Sequence, residues 1–221
     1  MVYTTFIILA TTATDTDMSL WGMVVKGGWL MIPIFILSII AIYIACERYW
    51  LLRKMGMNDA TFMQKIREYI QNGNTKAVLA ECEAEASPLA KTITKGVTMQ
   101  GETPGEIRQA MEDTANYEVA LLEKGLPTLA TCAGVAPMIG FLGTVVGMVQ
   151  AFYDMAMAGS NIDITLLSRG IYTAMITTVA GLIVGIIGQL AYNFLVARVD
   201  KIVLTIEHHS SELIDLLRLK K

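Results

Sequence analysis

An all-α membrane protein is the fold class this sequence predicts: three transmembrane helices, two of them long and extended into a cytoplasmic helical bundle. Three observations carry that prediction. Of 221 residues, 54% are hydrophobic and only 17% charged, whereas about a quarter of a soluble domain is charged. Three runs, Gly27–Cys46, Gly125–Tyr153 and Gly170–Ala197, hold no charge at all, and a bilayer crossing needs about 20 apolar residues. Most of the remaining charge lies in one central stretch with helical punctuation. The same arithmetic excludes other classes. A net charge of −3 with no basic stretch speaks against nucleic-acid binding, and the apolar content speaks against disorder. Cys46, Cys82 and Cys132 show neither metal-ligand spacing nor an even disulfide set.

Residues 1–26 form a segment ahead of the first span. Thr4 to Ala13 is apolar and Thr-rich, too short to cross a bilayer, and without the basic start of a signal peptide. It reads as an ordered or interfacial lead-in. The first span, 27–46, is closed by Glu47, Arg48, Arg53 and Lys54. The second, 125–153, and the third, 170–197, exceed the hydrocarbon thickness and should tilt or project beyond it. Lys and Arg next to the spans set orientation. Arg48, Arg53, Lys54, Lys124, Arg198 and Lys201 lie on one side, against Lys26 and Arg169 on the other. This places 1–26 and the turn 154–169 in the periplasm, and 47–124 and the tail 198–221 in the cytoplasm.

Residues 47–124 carry ten basic and twelve acidic side chains and no strand signal. Asn58 is a candidate cap for a helix ending near Asn72-Gly73-Asn74. Ser87-Pro88 starts another. Thr103 to Glu106 fits a capping box with Pro104 at the first helical position. From Thr103 nothing stops the helix before Gly125 and Pro127, which could end it or only kink it; a continuous helix would reach about 30 Å from the membrane. In the tail, Val199, Ile202, Val203, Ile206, Leu213, Leu216 and Leu217 recur at helical spacing and should pack on the central helices. His208 and His209 are adjacent, so they leave a helix about 100° apart and make a poor chelate. No metal and no cofactor are expected, and no catalytic constellation is present, so the chain is not read as an enzyme.

The second span carries Pro137, Gly140, Gly143 and Gly147, and the third Gly181 and Gly185. Gly143/Gly147 and Gly181/Gly185 are G-x-x-x-G pairs, which allow close helix packing in lipid. Thr144, Thr177 and Thr178 sit near mid-span, with Thr173 nearby. Such hydroxyls often bond only to their own helix. Placed among small residues at similar depth on both spans, they could instead line a polar path in a ring of copies. No acidic or basic residue lies inside the three runs, and a proton relay needs an ionisable group in the membrane. A partner should bring it.

Residues 136–148 (APMIGFLGTVVGM) and 170–182 (GIYTAMITTVAGL) resemble the signature of the MotA/TolQ/ExbB proton channel family. Gly27-Gly28, Met31, Pro33-Ile34, Ser38 and Glu47-Arg48 in the first span are similar to ExbB-type members, as are the length and three spans. The resemblance covers roughly Gly27 to Asp200. It implies a homo-oligomeric ring, a pentamer, in the bacterial inner membrane, enclosing an ExbD-like single-span protein whose membrane aspartate carries the proton. It also implies a TonB-like protein that receives the work and energises outer-membrane transport. Thr144 and Thr178 match the family's pore threonines. Where some ExbB members carry glutamate, this chain has Thr173, so no carboxyl is expected from the ring. Two other readings stand beside this one. One is a TolQ-like motor for envelope maintenance or another load. The other is a passive membrane scaffold.

Overall fold

The computed structural model describes residues 27–55, 59–85, 87–157 and 164–218. The lead-in at Thr4 to Ala13 and the candidate cap Asn58 lie outside them. The described residues form seven helices and no strand: α1 Met31–Met55, α2 Asp59–Gln71, α3 Thr75–Glu85, α4 Pro88–Thr98, α5 Pro104–Glu123, α6 Leu126–Met157 and α7 Ile164–Arg218. Three stretches are long and apolar enough to cross a membrane: Met31–Met55, one within Pro104–Met157, and one within Gly170–Leu217.

Local chemistry explains the short helices. At the end of α2, Gly73 (φ 74°) turns the chain. Its N–H donates to the Ile70 carbonyl at 3.1 Å, and the Asn74 N–H donates to Tyr69 at 2.9 Å. This pair of bonds satisfies carbonyls that the helix end would leave orphaned. Asn74 then caps α3, its side-chain oxygen accepting from the Ala77 N–H at 3.2 Å. Ser87 caps α4 by accepting from Ala90 at 3.1 Å. Thr103 and Glu106 form the expected capping box at the start of α5, with both reciprocal bonds present. Those bonds from Thr103 hold the Glu106 carboxyl below its usual range.

The helix from Thr103 is interrupted at Gly125 and not merely kinked there: α5 stops at Glu123 and α6 begins at Leu126. Gly125 has φ 88°, a left-handed conformation that breaks the helical hydrogen-bond series. In an unbroken helix the Gly125 N–H would serve the Leu121 carbonyl. Here the Arg48 guanidinium donates to that oxygen instead, at 3.2 Å. The helices also extend into the stretch read as a turn, 154–169. α6 runs to Met157 and α7 starts at Ile164, because hydropathy marks where apolar sequence ends and not where the backbone stops coiling.

The chain divides into two compact units, one comprising the described residues of Met1–Leu37 and Val135–Gly185, the other Ser38–Gly134 and Ile186–Lys221. The second has a conventional hydrophobic core. Phe62, Met63, Ile66 and Ile70 of α2 meet Val78 and Cys82 of α3, Leu89, Ile93 and Val97 of α4, and Ile107 and Met111 of α5. The C-terminal part of α7 adds Ile206 and Leu213 to the same core, as the helical spacing of the tail predicts, together with Ile214. Burial pushes the Cys82 thiol up, so it behaves as a small hydrophobe. Lys91 of α4 clasps the buried Glu118 of α5 through both carboxylate oxygens, at 3.0 and 2.8 Å. A lone buried carboxylate would be costly, and the paired one links two helices.

Candidate ion pathway between two small-residue helices

The first unit is built on α6 and α7 running side by side at very close range. A methyl carbon on Gly140 would lie 2.9 Å from the Thr177 carbonyl oxygen and 3.2 Å from the Gly181 Cα. One on Gly181 would lie 3.0 Å from the Gly140 Cα, and one on Gly147 only 2.7 Å from the Ala174 Cβ. Gly143 faces the Thr177 side chain, and Gly185 is buried. Only glycine permits this approach, which is how small residues hold helices together where lipid offers no hydrophobic drive. Pro137 lies inside α6.

That approach brings two hydroxyls together. The Thr144 Oγ1 of α6 is 2.8 Å from the Thr178 Oγ1 of α7. Thr178 also donates across the helix contact to the Gly140 carbonyl at 2.8 Å, and Thr144 donates to the Phe141 carbonyl at 2.8 Å. Both threonines are half-buried. Thr177 has other surroundings. It is 2% exposed, and its hydroxyl donates to Ala174 at 2.7 Å on its own helix. Thr173 is half-buried one turn earlier. Of the four candidate pathway threonines, the geometry pairs Thr144 with Thr178.

The pair has an unusual proton count. Each hydroxyl carries one proton and can also accept, so two protons face three contacts of 2.8 Å. Hydroxyl rotation alone moves the pair between arrangements. The uncharged runs hold no acidic or basic residue beside it. The site can orient or relay a proton but cannot hold a net charge of its own.

A sequence model described as the MotA/TolQ/ExbB proton channel family matches residues 84–208, more than half of the chain and including this pair. The chain belongs to the MotA/TolQ/ExbB proton channel family. Among its relatives, a chain named as a biopolymer transport protein ExbB homolog from Methanothermobacter thermautotrophicus is 30% identical over 191 residues, 84% of this chain and 67% of the relative. The biopolymer transport protein exbB1 of Vibrio cholerae is 25% identical over 187 residues, 82% and 81% of the two chains. The Tol-Pal system protein TolQ of Haemophilus influenzae is 41% identical over 95 residues, 42% and 41% of the two chains.

As a MotA/TolQ/ExbB family member with three helices long and apolar enough to cross a bilayer, the chain is a multi-pass membrane protein. Its membrane helices leave much apolar surface uncovered: Phe141, Val149 and Phe152 of α6 and Met175, Ile183 and Ile187 of α7 are all exposed, as expected for surfaces that meet lipid or other helices.

Sequence reasoning missed two features. The Gly140 carbonyl is a backbone acceptor, invisible in a residue pattern. Glu212 joins His208 and His209, with ligand atoms of all three within 4.8 Å of one another. Its spacing, four residues from His208 and three from His209, was the available signal.

Proposed function

We propose that copies of this chain form an ExbB-like ring, a pentamer, in the bacterial inner membrane, with the N-terminus periplasmic and the C-terminus cytoplasmic. The ring encloses a single-span ExbD-like partner whose membrane aspartate carries the proton. The motor is driven by the proton-motive force and passes its work to a TonB-like protein that energises outer-membrane transport. In this reading the spans are 27–46, 125–153 and 170–197, and 47–124 with 198–221 make the cytoplasmic part.

The observation that carries the reading is the Thr144–Thr178 pair at 2.8 Å in spans with no acidic or basic residue. A partner carboxylate facing this pair could accept from either hydroxyl, and the carboxylic acid could donate to either. The hydroxyls would ease the proton's transfer without binding it as an ion. The carboxyl must come from outside the chain because the uncharged runs provide none.

The test has two arms. The complex is purified from native membranes by a C-terminal tag, and its components are identified by mass spectrometry. A small single-span protein with one membrane aspartate should co-purify. Thr178→Val should then abolish proton-dependent work while that complex still forms. Full activity in the variant would remove Thr178 from the pathway, and rings of this chain alone would favour a passive scaffold. A TolQ-like load is the second reading, favoured by the 41% identity over 95 residues to a TolQ protein. Sensitivity to detergent after deletion, with normal growth on chelated iron, would select it.

A further inference from the structure

The tail of α7 carries a second constellation that the proton pathway does not use. His208 and Glu212 are four residues apart, and His209 and Glu212 three, so all three reach one side of the helix. Their ligand atoms lie within 4.8 Å of one another. The His209 Nδ1 is 3.3 Å from the Glu212 Oε2. Arg67 of α2 pairs with the other Glu212 oxygen, Oε1, which leaves Oε2 turned to the histidine. The histidine rings are tilted at 60° with centroids 5.2 Å apart, closer than two side chains diverging from adjacent positions need be.

We propose that His208, His209 and Glu212 form a binding site for a borderline divalent cation: zinc, nickel or copper. The donor set decides the class. Two imidazoles and one carboxylate suit these ions, whereas magnesium and calcium require oxygen ligands throughout. Ligands held about 2.0–2.2 Å from zinc stand roughly 3.3 Å apart. The present spread therefore closes by side-chain rotation, chiefly of the exposed His208. Three protein ligands leave a fourth position for water, which the solvent-facing side can fill. His209 and Glu212 are mostly buried, at 17% and 21% exposure, so two of the three ligands are already ordered. Arg67 orients Glu212 as outer partners orient ligands in established metal sites. It also keeps that carboxyl ionised, below its usual range. The guanidinium opposes a second positive charge nearby. This makes the site an exchangeable one, distinct from structural sites that hold a fold together.

The chain has only two histidines, which makes the test sharp. The full-length protein is purified in detergent with a tag that contains no histidine. Zinc is titrated against a chromophoric chelator, and copper is read by electron paramagnetic resonance. The expected result is one cation per chain, with coupling to two imidazole nitrogens. His208→Ala, a change at an exposed position, should weaken zinc binding at least about tenfold and leave coupling to one nitrogen. Should His209→Ala disturb the tail, the His208→Ala result stands alone. No saturation at one cation per chain overturns the proposal. So does a His208→Ala protein with unchanged affinity and unchanged nitrogen coupling.

Discussion

The Thr144 hydroxyl lies 2.8 Å from the Thr178 hydroxyl, and Thr178 simultaneously reaches a carbonyl of the opposite helix, that of Gly140. The pair is therefore both a helix–helix tie and a polar surface. Valine in place of Thr178 keeps the shape and removes the proton, at a stability cost of about 1 kcal/mol for one hydrogen bond. Thr178→Ser keeps the hydroxyl. Proton-dependent work should survive in the serine variant and vanish in the valine variant, with assembly unchanged in both. Equal activity in the two would mean that the hydroxyl acts only in packing.

At Gly140 the two helices come close enough for their backbones almost to touch. A methyl group there meets the Thr177 carbonyl at 2.9 Å and the Thr178 Cα at 3.1 Å, both backbone atoms that cannot move independently. Gly140→Ala should cost about 1–3 kcal/mol through overpacking, seen as a lower thermal midpoint of the purified protein. Gly105→Ala is the control. It sits in the first turn of α5 with open space around it, so it should be neutral or slightly stabilising.

Gly125 and Arg48 together maintain the break between α5 and α6. Alanine at φ 88° is strained by about 1–3 kcal/mol. Gly125→Ala should therefore destabilise the protein or straighten the junction, the latter detected as slower amide exchange over residues 121–129. Arg48→Met should loosen the same junction by leaving the Leu121 carbonyl without its donor. A Gly125→Ala protein more stable than the wild type, with unchanged exchange, would show that the break does not depend on glycine.

Glu212 couples the tail to α2 in a pH-dependent way. Arg67, aided by His209, holds its carboxyl below the usual 4.5. A depressed pKa in the folded state means the contribution is complete above the unfolded value and is lost as pH falls through the folded value. Protection of the tail amides against exchange should thus be flat near neutrality and decline below about pH 4.5. Arg67→Gln should shrink that decline, because the folded and unfolded values then approach each other. An undiminished decline would place the ion pair outside tail docking.

Much of the architecture was legible because it rests on short-range rules. Ser87 and the Thr103–Glu106 box start helices by bonding amides three residues away. The tail's apolar spacing led to Ile206 and Leu213 in the core. The break at Gly125 was not legible in the same way, since a glycine in an apolar run is equally compatible with a continuous helix. What replaces the missing bond is Arg48, 73 residues from Leu121. The adjacent His208 and His209 diverge on a helical wheel, but Glu212, one turn further on and held by Arg67 from another helix, gives them a common point.

Composition and patterning settle that this chain is helical, that three of its stretches are apolar enough to cross a bilayer, and that those stretches carry no charge of their own. These are properties of single residues or of neighbours within a turn, summed along the chain. Which threonines meet was decided in three dimensions. Thr144 and Thr178 are 34 residues apart, and on sequence grounds Thr177 was an equal candidate. The pairing depends on the distance and rotation between α6 and α7, which the backbone approach at Gly140 and Gly181 sets to within a few tenths of an ångström. Hydrogen bonding weakens steeply over that range, so the Thr144–Thr178 contact is a property of helix packing and no single span contains it.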